Sequence, residues 1–383
     1  MGSLDYTSNP AELPRGTLSQ MFLDTVERCG DRVAFRYFPA PEPTLADVSY
    51  REVAERVRAV VGGLKAGGLE RGDRIALLAP NRVEWAVTDY GALCAGVVDV
   101  PVYNTLTAPQ IAYILEHSGA RMIFVASPEE MERVREAAAE LGRALPIVIF
   151  DPPAGGLPEG VRSFADFLDE GRRTMDAAPE GLFEEEVRAA RPDDLATLIY
   201  TSGTTGDPKG VMLSHNNVYS NVVACSRVLP FSREDLTLSF LPLSHVLQRM
   251  VDYLTFCSGT TIAYARSIHT VADDMKVVCP TIVVSVPRLF EKVYNAVMEA
   301  EGVKRALVQW AREVGMAWAN EVLAGRRPSL VTRLAHRLAD ALVFRKIRAA
   351  MGGRLRYFVS GGAPLSPDIN RFFFAAGVPI LEG

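Results

Sequence analysis

Between Arg74 and Phe150, short apolar runs alternate with longer stretches whose apolar residues recur every three or four positions. The runs Arg74–Leu78, Val97–Tyr103, Arg121–Ala126 and Pro146–Phe150 predict strands, and Asn81–Ala95, Gln110–His117 and Met131–Leu141 predict helices. A helix opens the series: after Ser49, the residues Val53, Val57, Val60, Val61 and Leu64 line one face, and Gly67-Gly68 end it. Strands that alternate with helices predict a parallel sheet with helices on its faces, because parallel neighbours need a crossover connection. No Gly-x-Gly-x-x-Gly follows any of these strands, which excludes a nicotinamide dinucleotide site.

A chain of 383 residues is too long for one hydrophobic core. We expect an irregular, Pro-rich N-terminal extension over 1–45 with one helix near Leu18–Cys29, a first α/β subdomain over 46–190 and a second over 191–383. The second shows further strands at Leu236–Leu241, Thr261–Ala265, Thr281–Val286, Tyr357–Ser360 and Val378–Leu381, and a helix at Asn216–Val228. Residues 302–357 carry twelve Lys and Arg against three Asp and Glu. Val303, Leu307, Trp310, Val314 and Trp318 share one helical face, and Leu330, Leu334, Leu338 and Leu342 share another. The insert over 302–352 is thus a basic helical hairpin, expected to pack its apolar side on the domain or to dock on an anionic bilayer.

A net charge of −5 argues against nucleic acid as a partner. The cysteines Cys29, Cys94, Cys225, Cys257 and Cys279 are odd in number and lack Cys-x-x-Cys spacing, so they read as free thiols of a reducing compartment. No secretory leader and no run of 18 apolar residues is visible, and after Met1-Gly2 position 6 is Tyr rather than the Ser or Thr that myristoylation favours. A cytoplasmic protein, peripheral at the inner face of a membrane, is the expectation. Glu184-Glu185-Glu186 reads as a solvated face.

The densest chemistry lies in Tyr200-Thr201-Ser202-Gly203-Thr204-Thr205-Gly206-Asp207-Pro208-Lys209-Gly210. Glycines let a backbone turn tightly and approach a ligand. Several N–H groups can then converge on one anion, hydroxyls add donors, and Lys209 adds a mobile cation. The string is not a Walker A loop, since Gly-x-x-x-x-Gly-Lys-Ser/Thr does not occur in it. It suits a nucleotide triphosphate all the same.

These residues resemble the signature of the AMP-forming acyl-CoA synthetases, within the acyl-adenylate-forming superfamily, and the resemblance runs from about Tyr50 to Gly383. It implies the large N-terminal domain of those enzymes: two parallel-type sheets flanked by helices in αβαβα layers. It also implies ATP, Mg2+ and CoA. Thr201 would stand near the metal, and Thr201, Ser202, Gly203, Thr204, Thr205, Gly206 and Lys209 would hold phosphate. A second string, Leu241-Pro242-Leu243-Ser244-His245-Val246-Leu247-Gln248-Arg249, places His245 where acyl chain and α-phosphate meet; Leu247-Gln248 stand where long-chain members often carry Phe-Glu. In a third string, Gly361, Gly362, Ala363 and Pro364 after Ser360 would lie against adenine. Ile380-Leu381-Glu382-Gly383 resembles the start of the adenine motif, which makes Glu382 and Gly383 part of the ATP site. On this resemblance the chain is an N-terminal fragment, without the ribose-binding aspartate, the hinge and the lysine-bearing C-terminal domain, and inactive by itself.

Ser285–Val293, the helical insert and the SGGAPLS string resemble the long-chain fatty acid branch. The implied reaction activates a fatty acid to acyl-AMP with loss of pyrophosphate, then transfers the acyl group to CoA. An adenylation domain that loads a carrier protein is an alternative, and a non-catalytic nucleotide- or lipid-binding module is another.

Overall fold

The computed structural model describes residues 13–39, 44–201, 207–299 and 301–383. Ser202–Gly206, five of the expected phosphate-loop residues, lie outside the described residues. The chain forms two compact units. The first holds the described residues up to Tyr37, then Ala46–Arg233 and Pro242–Thr260; the second holds the described part of Phe38–Leu45, Glu234–Leu241 and Thr261–Gly383.

In the first unit the order is α1 (Leu18–Cys29), β1 (Val33–Tyr37), β2 (Ala46–Ser49), α2 (Tyr50–Ala66), β3 (Arg74–Leu78), α3 (Val83–Ala95), β4 (Val98–Val102), α4 (Ala108–Ser118), β5 (Met122–Val125) and α5 (Pro128–Glu140). Then come β6 (Ile147–Ile149), β7 (Val161–Ser163), α6 (Phe164–Ala177), α7 (Leu182–Ala189), β8 (Leu195–Thr201), β9 (Lys209–Ser214), α8 (His215–Val228) and α9 (Val246–Cys257). One sheet runs β7-β6-β5-β3-β4-β8-β9, parallel except for the last pair, which is antiparallel. Its central strands β3, β4, β5 and β6 are buried on both faces. Ala76, Leu78, Ile123, Val125, Ile147 and Ile149 pack with α4 and α5, while the intervening Phe124 meets Phe167 of α6 edge-on at 5.2 Å. Two-sided burial is why these runs are continuously apolar rather than alternating.

The second unit contains β10 (Leu236–Ser239), β11 (Thr261–Tyr264), α10 (Val271–Val278), β12 (Ile282–Ser285), α11 (Pro287–Met298), α12 (Gly302–Leu323), α13 (Leu330–Ala339), a π turn (Asp340–Phe344), α14 (Arg345–Ala350), β13 (Tyr357–Ser360), α15 (Pro367–Ala375) and β14 (Ile380–Glu382). Five strands run parallel in the order β14-β13-β12-β10-β11. Phe290, Phe358 and Phe373 form an edge-to-face cluster at its core, with centroids 5.0–5.9 Å apart.

The α/β class read from the alternation is the observed one. Three local expectations change. Val33–Tyr37 is a strand within the stretch expected to be irregular; its core-facing residues, Ala34 and Phe35, are adjacent rather than alternating, so no period of two showed. Glu186 is not a solvated carboxylate, because Lys65 and Arg71 both pair with it. The leucine face of α13 is turned outward, not packed on the domain.

Helices α2 and α6 touch backbone to backbone. A Cβ on Gly171 would lie 1.8 Å from the carbonyl oxygen of Ala59, and one on Gly62 would lie 2.1 Å from that of Gly171. Backbone atoms cannot swing aside as a flexible side chain can. Gly171→Ala is therefore expected to destabilise the fold by about 1–3 kcal/mol through overpacking, read as a lower urea midpoint at unchanged slope; an unchanged midpoint would show that the two helices part at little cost.

Candidate active site

The two strands that flank the glycine- and hydroxyl-rich string, β8 and β9, pair antiparallel at the edge of the first sheet. Thr201 ends β8 and Lys209 begins β9, and the two are cross-strand partners; Tyr200 pairs with Gly210 behind them. Sequence reading took Lys209 and Gly210 as loop, but the strand starts at Lys209. Cross-strand partners place their side chains on one face of the sheet. Thr201 and Lys209 are thus brought together at the mouth of the hairpin, and both are exposed.

The root of the hairpin is fixed by aromatic rings. Tyr113 of α4 donates its hydroxyl to the carbonyl of Pro208 at 3.0 Å, and the Tyr200 hydroxyl lies 2.8 Å from Nδ1 of His117. A Cβ on Gly210 would come 3.2 Å from the Tyr200 ring, so a glycine is what lets the strands close here.

His245 is the N-cap of α9. Its Nδ1 accepts from the backbone N–H of Leu247 at 3.2 Å, so the neutral ring carries its proton on Nε2. The ring is exposed, and that N–H is available to an oxygen of a ligand. The approach to the cap is rigid: His245 N–H donates to Pro242 O, and Leu243 N–H donates to Oδ1 of Asn81 at 3.0 Å.

Sequence reading missed what lies beneath. One turn after His245, Arg249 is buried, 3% exposed, and its guanidinium reaches both Asp89 on α3 and Asp99 on β4. Its Nη1 donates to the Thr197 hydroxyl on β8 at 2.7 Å and its Nε to the Tyr253 hydroxyl at 2.8 Å. Tyr253 in turn donates to Asp89 at 2.6 Å. Two carboxyls share one guanidinium. Burial above all, opposed by Arg249, pushes the Asp99 carboxyl up to about 8. The neighbouring Asp89 carboxyl acts in the same direction as burial and favours the neutral form of Asp99. Arg249 closes the family-like string Leu241–Arg249, but nothing in its spacing pairs it with aspartates 150 and more residues earlier.

A small apolar cavity adjoins this network, lined by Ile199, Leu213, Val218, Val246, Met250 and Tyr253 among others. It holds about 10 Å3, the room of a single water. A larger groove of about 350 Å3 between α1 and α8 contains none of the residues the sequence suggested for the nucleotide site.

In the second unit, two more strings meet at the carboxyl ends of adjacent parallel strands. Ser360 pairs with Glu382, and Gly383 N–H donates to Ser360 O at 3.0 Å. The turn after β13 depends on Gly362, whose φ of +84° L side chains rarely adopt. Gly361 is buried and donates to Ser285 O at 3.0 Å, while Gly362, Ala363 and Pro364 are exposed. The hydroxyls of Ser285 and Ser360 are buried there with no hydrogen-bond partner among the described residues. The Glu382 carboxylate accepts from Asn370 at 2.8 Å. Among the described residues, no three His, Cys, Asp or Glu stand together to hold a metal.

Residues 22–383 match the profile of the AMP-binding enzymes. The chain belongs to that family. It is 36% identical to the long-chain-fatty-acid–CoA ligase FadD15 of Mycobacterium tuberculosis, over 88% of this chain and 55% of that protein. It is 31% identical to the peroxisomal long chain acyl-CoA synthetase 7 of Arabidopsis thaliana, over 96% and 52%. This family member thus spans about half the length of the curated relatives it matches. Its fold resembles the N-terminal domain of FACL13 from Mycobacterium tuberculosis (21% identity, TM-score 0.66, 96% of this chain and 75% of that one). It also resembles the adenylation domain of a carboxylate reductase from Mycobacterium chelonae (24% identity, TM-score 0.70, 98% and 58%).

Two tests follow from the buried cluster. Removing one partner of a buried ion pair costs about 3–5 kcal/mol, so Arg249→Ala should lower the unfolding free energy by that amount, measured by urea denaturation. An aspartate in an unfolded chain loses its proton near pH 4, whereas Asp99 in the folded chain keeps its proton to about 8. Between those values the folded state alone holds the proton, so stability falls as pH rises, by at most about 1.4 kcal/mol per unit. Asp99→Asn should flatten the profile over that window, and parallel profiles for parent and variant would show an ionised Asp99.

Proposed function

We propose that the full protein is an ATP-dependent, AMP-forming long-chain fatty acid–CoA ligase. The observation that carries this reading is the identity, over most of this chain, with relatives named as long-chain acyl-CoA ligases.

A carboxylate is a poor electrophile. Its oxygen attacks the α-phosphorus of ATP, pyrophosphate leaves, and the acid becomes a mixed anhydride with AMP. The thiol of CoA then attacks the carbonyl carbon, a thioester forms and AMP departs. No protein nucleophile is required, so the work of the chain is to hold charge and exclude water. Negative charge grows on the leaving pyrophosphate. Lys209, paired with Thr201 at the hairpin mouth, is the cation we assign to it, with the amides and hydroxyls of Ser202–Gly206. Thr201 would help to hold magnesium through its exposed hydroxyl, and the ion would supply further positive charge at the phosphates. His245 offers its Nε2–H to an oxygen of the α-phosphate or the carboxylate. Gly361–Pro364 with Glu382 and Gly383 are assigned to adenine, where the orphaned hydroxyls of Ser285 and Ser360 suit a polar base edge.

Two finer statements belong to the same proposal: a cytoplasmic location, and peripheral contact with an anionic membrane through residues 302–352. Among the described residues no helix is long and apolar enough to cross a membrane. An adenylation domain that loads a carrier protein shares the first half-reaction and differs in its acceptor.

The test is a steady-state assay of the full-length protein with ATP, a long-chain acid and CoA. Pyrophosphate release and thioester formation are expected, the thioester signal vanishing when CoA is omitted. Consumption of acyl-adenylate without CoA would favour the carrier-loading reading, and no pyrophosphate at all would favour a non-catalytic module. Lys209→Ala removes one charge-assisted donor to the leaving group and should lower kcat by roughly 10²–10³-fold with the melting temperature nearly unchanged, since the side chain is exposed.

A further inference from the structure

Helix α13 wears its apolar side outward. Leu330, Val331, Leu334 and Leu338 are 68%, 77%, 54% and 53% exposed, and Leu342 in the following π turn is 39% exposed. At about 100° per residue they cover a stripe roughly 120° wide. The opposite side holds the helix to its unit. Ala339 is fully buried. The His336 ring stacks on Trp318 at 4.2 Å, and its Nε2–H donates to Ala375 O at 2.9 Å. The π turn then carries Val343 and Phe344 into the core while Leu342 stays outside. Trp318, which the sequence suggested as part of a docking surface, is occupied by these contacts and by Phe374. The leucines are what is left facing out, and an apolar stripe on a surface marks a site of contact.

The border of the stripe says what covers it. From Arg326 to Ala350 there are seven Lys and Arg and one acidic residue, Asp340, and Asp340 is held by Arg348. Arg333 and Arg337 run along one edge of the stripe, with Arg326 and Arg327 ahead of it and Arg345 and Lys346 beyond it, all exposed. Leucines flanked by cations on one helix match the boundary between acyl chains and anionic headgroups. A second copy of the same face would set this excess of cations against itself.

We propose that α13 and the π turn after it form an interfacial helix, with its leucines in the acyl boundary and its arginines on lipid phosphates. This deepens the reading of peripheral membrane contact and rests on it, but it does not depend on which acyl transfer the protein performs. The test is co-sedimentation of the full-length protein with vesicles of phosphatidylcholine, with and without phosphatidylglycerol. The parent should sediment with the anionic vesicles only. Arg333→Glu with Arg337→Glu, and separately Leu334→Glu with Leu338→Glu, should each weaken that binding at least about tenfold. The melting temperature should hold, because all four side chains are exposed. Equal sedimentation of the parent and both variants would overturn the proposal, as would equal binding of the parent to neutral vesicles. A parent that ignores vesicles and is a dimer dissociated by the leucine variant would show instead that the face joins two copies. Thioester formation from a dispersed acid, followed in the same preparations, reports on the ligase reading separately: its absence alongside intact vesicle binding would count against that reading alone.

Discussion

One guanidinium is the hinge pin of the first unit. Arg249 is shut away from water and donates hydrogen bonds to, or pairs charge with, groups of α3, β4, β8 and α9 at once. A buried cation is costly unless it is paired, and the pairing here recruits residues from four elements. Two of those elements carry the residues assigned to chemistry. His245 precedes Arg249 by one helical turn, and Thr201 follows Thr197 by four strand residues. The positions of the cap and of the hairpin are therefore referred to the same buried point. Such a network has value beyond its pair energy, because any rotation of α9 or slip of β8 would strand a charge in the core.

What could be read from the sequence divides along physical lines. Strands buried on both faces, such as Met122–Val125, declare themselves as apolar runs, and helices such as Tyr50–Ala66 declare themselves by period and by the Ser49 capping box. The α/β class followed from these. The hairpin at Lys209–Ser214 was not legible, because edge strands need not be apolar and its alternation is broken by the exposed pair Val211 and Met212. The outward turn of the α13 leucines was not legible either. Periodicity shows that a face is apolar, and only tertiary packing decides which way it points.

The site shows the same division. Thr201, Lys209, His245, Gly362 and Glu382 stand within short strings whose residue types carry the message. The Arg249 cluster draws on residues 89, 99, 197 and 253, and no local pattern joins them. Each member alone reads as an ordinary residue of a helix or strand. Long-range polar contacts of this kind are set by the crossover order of the sheet, which a sequence window does not contain.

The cap on α9 bears on how substitutions at His245 should be understood. One ring does two jobs: Nδ1 closes the first turn of the helix while Nε2–H faces outward. Alanine would remove both, and the loss of an N-cap alone is worth about 1 kcal/mol. A rate lost in such a variant would mix ligand contact with fraying of the helix that also carries Arg249. Asparagine is a good capping residue without the imidazole reach, so it separates the two contributions. The same ring, by lending one nitrogen to the backbone, fixes which nitrogen is left to donate. The fold, rather than the bound ligand, thereby chooses the tautomer.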